Sequence, residues 1–141
     1  MPALTKPYET YEKPGIVVSY NVGTNTTIYK GALVGVNASG NIVSMTHVTA
    51  NLKFVGVANE TVVTTAATKR ITITKSGTFV FPTPSPNTNK TGGDAWAKFD
   101  GEVQDAATGL TNAYIVGTIV GVESTSDGLG GYRVRIDNHT K

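Results

Sequence analysis

The sequence predicts an all-β fold, and three observations support that prediction. Thr and Val are the two commonest residues and both favour strands, whereas the strong helix formers Leu, Met, Gln and Glu are scarce. The 16 glycines divide the chain into short apolar runs. Several of these runs alternate between apolar and polar residues, with the period of two that strands show. We therefore expect short strands in a compact barrel or sandwich, with at most one short helix.

The first 14 residues differ in character from the rest of the chain. Three prolines and alternating polar residues leave no helical or sheet period there, and Tyr8 and Tyr11 are the only large side chains. We interpret residues 1–14 as an extended N-terminal arm and residues 15–141 as a single β domain. The arm is either a frayed terminus or a segment that docks on a neighbouring molecule.

The predicted strands follow one another closely after the arm. Residues 70–74 alternate cleanly, and so do residues 132–136, where Arg133 and Arg135 point away from the apolar side chains. Ser76 and Gly77 predict a tight turn that joins residues 70–74 to residues 78–81 as a hairpin. Residues 105–108 are the only candidate for a helical turn. The other predicted strands are residues 16–20, 32–36, 41–43 and 54–58.

The spacing of glycines indicates an internal repeat. One set has spacings of 9 and 16 residues and the other has spacings of 8 and 16: they are Gly31, Gly40 and Gly56, and then Gly93, Gly101 and Gly117. Each set frames an apolar strand, a second apolar segment, and an apolar residue followed by Val and Gly. We expect two similar β units that share one barrel or sandwich.

A Pro-rich segment lies between these two sets of glycines. Pro82, Pro84 and Pro86 alternate with polar residues, which excludes a central strand. We expect a partly stiff, polyproline-like surface loop that continues to residue 92. Loops of this length in compact domains are often functional.

Catalytic and metal-binding patterns are missing from the sequence. The chain has no cysteine, and His47 and His139 do not show the spacing of metal ligands. Lys90, Thr91 and Gly92 match one motif of serine β-lactamases, but the Ser-x-x-Lys that those enzymes also need does not occur. We expect neither enzymatic activity nor a cofactor.

Charge and hydropathy restrict the partners. The net charge of +2 comes from 12 basic and 10 acidic residues without a basic cluster, so we expect no nucleic-acid binding. No apolar run is long enough for a membrane-spanning helix, and the N-terminus lacks the apolar region of a signal peptide, so we expect a chain made in a reducing cytoplasm. Only 16% of residues are charged, and the resulting Thr- and Asn-rich surface suits contact with other proteins.

Over residues 15–137 the chain resembles a family of small capsid cement (decoration) proteins of tailed phages. The resemblance lies in the order of six segments: KGALVGV at 30–36, FVGVA at 54–58, SGTFVF at 76–81, GGDA at 92–95, IVG at 115–117 and RVRI at 133–136. It implies a barrel-like or β-tulip domain that binds the outer surface of an icosahedral head. The Pro-rich insertion at 82–91 and the Thr- and Asn-rich surface depart from the usual pattern of the family.

The function expected from this resemblance is structural. The partners would be the major capsid protein and further copies of the chain, as a homotrimer on the outside of the virion. The expected contact residues lie in the arm and in the loop after residue 80: Lys6, Tyr8, Tyr11, Lys13, Phe81, Pro82, Pro84 and Pro86. The alternative is a carbohydrate-binding or adhesin-like module on a virion or cell surface, with an exposed aromatic such as Trp96 or Tyr132 stacking on sugars.

Overall fold

The computed structural model describes residues 17–124 and 130–137 and confirms the all-β prediction. Its only helical element within those ranges is a 3-10 helix of three residues, Thr88–Lys90. Residues 105–108 form bends and turns, so the helical turn predicted there is wrong. The strands are β1 Val17–Val22, β2 Thr27–Ile28, β3 Leu33–Val36, β4 Ile42–Ser44, β5 Lys53–Ala58, β6 Val62–Val63, β7 Lys69–Thr74, β8 Ser76–Pro82, β9 Asp94–Phe99, β10 Glu102–Gln104, β11 Ile115–Ser124 and β12 Gly130–Asp137.

The first unit, β1 to β7, is a closed barrel with the strand order β1-β4-β3-β5-β7. Adjacent strands of the barrel pair antiparallel, with one exception. β1 and β4 pair in parallel, at Val22 and Ile42, and this pairing closes the barrel. The short ribbon of β2 and β6 adds Ile28 and Val62 to the same core. Ile71 and Ile73 of β7 point into that core, as their alternation with threonine predicts.

The second unit, β8 to β12, is a five-stranded antiparallel sheet with the order β10-β9-β11-β12-β8. Its last strand follows the predicted alternation. Tyr132, Val134 and Ile136 are buried, whereas Arg133 and Arg135 are exposed.

The predicted hairpin between residues 70–74 and 78–81 is wrong. β7 lies between β5 and β1, while β8 pairs with β12 in the other unit. Ser76 and Gly77 are strand residues, paired with Asp137 and Ile136. Alternation identifies a strand and its buried side, but the partner is selected by packing between residues far apart in the chain. Here the two flanking strands are buried in different cores.

The two units have the same topology, which supports the internal repeat. The strands β1, β3, β4, β5 and β7 correspond in order to β8, β9, β10, β11 and β12. The register of strand pairing corresponds as well. Val34 pairs with Gly56 in the first unit, and Ala95 pairs with Gly117 in the second. Ala95 lies 61 positions after Val34, and Gly117 lies 61 positions after Gly56. The same shift relates the other paired strands of the two units.

This register corrects one glycine of the predicted repeat. Gly31 donates its backbone N–H to the Ala58 carbonyl, and Gly92, not Gly93, makes the same hydrogen bond to Ile119. Gly31 and Gly92 also share a positive φ, of 90° and 92°. The sequence spacing of 8 residues before Gly101 is therefore 9 in the structure, equal to the spacing in the first unit.

Gly56 and Gly117 are required at equivalent positions because another backbone passes next to them. A Cβ on Gly56 would overlap the Thr74 carbonyl oxygen of β7, and a Cβ on Gly117 would overlap the Arg135 carbonyl oxygen of β12. Each position faces the neighbouring strand of its own unit. The close approach of a neighbouring strand therefore explains why each predicted repeat ends in glycine, at Gly56 and at Gly117.

The units pack together through β3 and β5. Val34 and Val55 point into the barrel, whereas Leu33, Phe54 and Val57 point outward into a second core that they share with the inner side of the second sheet. Because β5 is buried on both sides, its sequence is continuously apolar after Lys53 and does not alternate.

Candidate interaction surfaces

Four of the predicted contact residues, Lys6, Tyr8, Tyr11 and Lys13, lie outside the described residues. Their role in contacts stays a prediction.

The predicted contact loop follows β8. Phe81 is 5% exposed and belongs to the core, where its ring centroid lies 6.2 Å from that of Phe79. It therefore supports the loop from beneath. Pro84 is exposed, while Pro82 and Pro86 are partly buried. Of the predicted contact residues in this loop, Pro84 offers a partner the most accessible surface.

Tyr132 connects the middle of the loop to the core through a hydrogen bond with Asn87. Its hydroxyl accepts a hydrogen bond from the Asn87 backbone N–H at 2.8 Å and donates one to Asp105 Oδ2 at 2.6 Å. Burial raises the pKa of Tyr132, and the hydrogen bond and negative charge of Asp105 act in the same direction, whereas the Asn87 hydrogen bond lowers it. The phenol is therefore held in its neutral, donating form.

Further contacts hold the loop on either side of this bond. Pro86 packs against the backbone at Gly130, where an added Cβ would lie 2.7 Å from the proline Cγ. Asn87 caps the 3-10 helix by accepting a hydrogen bond from Asn89 N–H at 2.9 Å. At the far end, Gly92 N–H donates to the Ile119 carbonyl at 2.7 Å. Before the prolines, Thr83 N–H donates to the Gly130 carbonyl at 3.2 Å, so the exposed Pro84 and Ser85 lie between fixed points at Thr83 and Asn87.

A cleft of about 190 Å³ lies beneath Pro82 and Pro84 and is also lined by Thr83, Glu102 and Gly130. In the first unit the equivalent place is closed by the pairing of Val22 with Ile42. In the second unit β8 and β10 contact each other, but the described residues include no ladder pair between them. Prolines cannot donate to a ladder, so this edge is protected against strand addition.

A second groove, of about 290 Å³, runs between the two units. Val57, Phe79 and Phe81 are among its apolar lining residues, and Lys30 and Thr74 also line it. Phe81 thus contributes to a surface depression as well as to the core.

The outward side of the second sheet carries a group of side chains that we call the outer face: Asp94, Trp96, Ile115, Thr118 and Arg135. Thr118 pairs with Asp94 on one side and with Arg135 on the other, so these three side chains form one row across three strands. Trp96 pairs with Ile115 in a second row. Trp96 lies on the same side of its strand as Asp94 and Lys98, because Ala95 and Ala97 between them are buried.

The corresponding face of the first unit is covered by the protein itself. Phe54 is 6% exposed there, whereas its counterpart Ile115 is 54% exposed. Gly35, which lies against Met45, is replaced by Trp96 in the second unit. Phe54 and Ile115 occupy equivalent positions in the predicted repeat, and the repeat pattern gives no sign that one is buried and the other exposed. The available signal was Trp96, an aromatic in register with charged residues.

The described residues include no group of three or more His, Cys, Asp or Glu side chains arranged to hold a metal ion. The contacts of His47 join parts of the fold to one another. Its Nδ1 accepts a hydrogen bond from Thr111 N–H at 3.1 Å, and its ring contacts Phe99 edge-on with 5.4 Å between centroids. These contacts tie a loop of the first unit to the second.

No helix in residues 17–124 or 130–137 has the length and apolar character needed to cross a membrane. Neither models of known protein families nor curated proteins match this chain.

Proposed function

We propose that the protein is a capsid cement protein, which binds the outer surface of an icosahedral phage head at junctions between capsomers. The partners in this proposal are the major capsid protein and further copies of the chain, as a trimer following the resemblance noted above. The protein acts by covering surface and has no catalytic role.

The observation that carries the proposal is the fastened Pro-rich loop. A long surface loop normally loses much conformational freedom when it binds. Here Tyr132, Gly130 and Ile119 hold the loop before any partner arrives, and its prolines restrict the exposed part further. A loop of this kind can dock on a protein surface at low entropic cost.

The composition of the surface supports the same proposal. Large apolar side chains are exposed at several separate places, among them Tyr29 and Val63. Two ion pairs lie on this surface, Lys98 with Glu102 and Arg133 with Glu123, and only 16% of the residues are charged. A weakly charged surface with scattered apolar side chains is suited to extended contact with other proteins.

Stabilisation of the head would follow from mass action. A ligand that binds only the assembled shell stabilises it by about 2.7 kcal/mol per site when its free concentration is about 100 times its dissociation constant. Several contacts in one oligomer then act together, so that each contact alone can be weak.

Binding to heads tests the proposal. Empty heads of the phage that encodes the chain are prepared without this protein, mixed with purified protein, and sedimented. We expect saturable binding with a fixed number of copies per head. Failure to bind under any condition in which the heads remain intact would contradict the proposed function.

Two matched variants test the loop within this experiment. Pro84→Asp places a charge on the exposed part of the loop, and Val48→Asp places one on an apolar side chain of the first unit that is 62% exposed. We expect Pro84→Asp to weaken head binding at least about tenfold, which corresponds to about 1.4 kcal/mol, and Val48→Asp to bind like the wild type. Equal binding of both variants would remove the loop from the contact and leave the cement function in place.

The position of Trp96 favours a second candidate, a carbohydrate-binding or adhesin-like module. Its side chain lies on the outer face beside exposed Ile115, where an aromatic ring can stack on a sugar. Because Trp96 is the only tryptophan, its fluorescence reports on that place alone. A saturable change with saccharides, at unchanged molecular mass, would support this candidate over the cement function.

A further inference from the structure

We infer that the outer face is a self-association surface, on which two copies of the chain meet about a two-fold axis. The inference goes beyond the proposed function and does not depend on it. Its basis is the comparison of the two units and the arrangement of charge across the row Asp94–Thr118–Arg135.

The two units show that this side of the sheet is buried when it is apolar. In the first unit, Leu33, Phe54 and Val57 on this side lie in the core that joins the units. Their counterparts in the second unit are Asp94, Ile115 and Thr118, which are exposed. On this open face Ile115 is a large apolar side chain that is 54% exposed, and Trp96 stands where the first unit has Gly35.

The composition of the outer face matches that of a protein interface. Tryptophan and arginine are enriched at the energetic centres of interfaces, and a polar rim normally surrounds them. Here Trp96 and Ile115 form the apolar part, and Asp94, Thr118 and Arg135 form the polar part. Asp94 and Arg135 are both exposed, and Arg135 Nη2 donates a hydrogen bond to Ser76 Oγ at 3.4 Å.

The charges make the face complementary to itself. Asp94 and Arg135 lie on either side of Thr118, one strand away in each direction, so about 10 Å separates their backbones. A two-fold axis that runs along β11 above Thr118 exchanges the two sides. The Asp94 of each copy then faces the Arg135 of the other, and Ile115 faces Ile115 at the centre. A heterologous contact would satisfy only one of these two charge pairs.

A contact of this kind has a definite consequence for stoichiometry. It closes after two copies, so it gives a dimer if the chain is otherwise monomeric and a hexamer if it is otherwise trimeric. The number of copies in the associated form is therefore even.

Charge reversal with rescue tests the contact. The measurements are the mass of the purified chain by sedimentation equilibrium and the emission of Trp96, both over a range of protein concentrations. We expect the mass at high concentration to be twice the mass of the form present at low concentration, whether that form is a monomer or a trimer. The emission of Trp96 should shift to the blue as the outer face becomes covered.

In the proposed dimer, residue 94 of each copy faces residue 135 of the other, so there are two such contacts. Asp94→Arg places two positive charges opposite each other in both contacts, and Arg135→Asp places two negative charges there. We expect each to weaken association at least about tenfold, and the double variant to return to within about threefold of the wild type. Lys69→Glu reverses an exposed charge on β7 of the first unit and serves as the control that leaves association unchanged. Ile115→Asp removes the apolar centre and abolishes association.

Three outcomes would overturn the inference: a mass that stays odd in copy number at all concentrations, a double variant no tighter than the single ones, or Lys69→Glu weakening association as much as Asp94→Arg. All variants are on exposed positions, and a cooperative thermal transition confirms that each one folds. Heads are not used, so failure of this contact and failure of the cement function are separate results.

Discussion

Replacing Gly56 or Gly117 by alanine tests the internal repeat through the energy of unfolding. An alanine Cβ at either position would lie well below 3.0 Å from a carbonyl oxygen, that of Thr74 or of Arg135. It would also lie 3.0 Å from Ile73 Cγ2 in the first unit and 2.8 Å from Val134 Cγ1 in the second. Neither oxygen can rotate away, because each belongs to the backbone of a paired strand.

The cost of this overlap can be estimated from two contributions. Overpacking in a well-packed core costs typically about 1–3 kcal/mol. Separation of the two strands also weakens ladder hydrogen bonds, each worth about 1 kcal/mol. We expect each alanine variant to lose about 3 kcal/mol, or about 10 °C in melting temperature for a chain of this size. Because the two contacts are equivalent, the two losses should agree within about 1 kcal/mol.

Urea unfolding followed by circular dichroism measures these losses, with Gly101→Ala as the matched control. A Cβ on Gly101 meets no atom within 4 Å, and its φ lies outside the left-handed region, so we expect no loss of stability. If Gly117→Ala unfolds at the same urea concentration as Gly101→Ala, the strand register of the second unit is wrong. If the two core variants differ by several kcal/mol, the correspondence of the units at these glycines is wrong.

Three further predictions concern the fastened loop and the arm. Tyr132→Phe removes the hydroxyl that joins Asn87 to Asp105, and we expect a loss of about 1–2 kcal/mol, measured by chemical unfolding at pH 7. Because the folded-state pKa of Tyr132 is raised above its ordinary value of about 10, the stability linked to its protonation is complete below about pH 10 and is lost as the pH rises through the folded-state pKa. A Tyr132→Phe variant should lack this part of the alkaline destabilisation, and equal pH slopes in the two proteins would contradict the assignment. Deletion of residues 1–13 should weaken head binding or change the oligomeric state, and wild-type values for both in the truncated chain would remove the arm from the contacts.

Much of the fold is readable from the sequence because local patterns determine it. Alternation placed Ile71 and Ile73 on one side of their strand and Tyr132, Val134 and Ile136 on one side of theirs, and both sides are buried. The expectation that Tyr132 is an exposed aromatic available to sugars is therefore wrong, because its side of the strand faces the core. The recurrence of an apolar residue, Val and Gly indicated the repeat, because a backbone crossing demands glycine wherever it occurs. These inferences need only the period of a strand and the volume of a side chain.

Local sequence patterns were a poorer guide to which side chains are exposed on the surface. Phe81 was expected to meet a partner and lies in the core, because its direction depends on β8 pairing with β12 instead of with β7. Ile115 occupies the position in the repeat that corresponds to Phe54, yet Ile115 is exposed and Phe54 is buried. Exposure is decided by what lies on top of a sheet, and no local pattern contains that information.

The sequence by itself determined the class of the fold and indicated the two-part repeat, because strand periodicity and the recurrence of short glycine-bounded segments can be read along the chain. Only the tertiary structure decided which strands pair, that the first unit is a closed barrel, and that its outward side is covered while that of the second unit is open. These features depend on contacts between residues far apart in sequence, such as Val57 against the second sheet. Such contacts compete with many alternatives of similar local energy, and the packing of the whole chain selects among them.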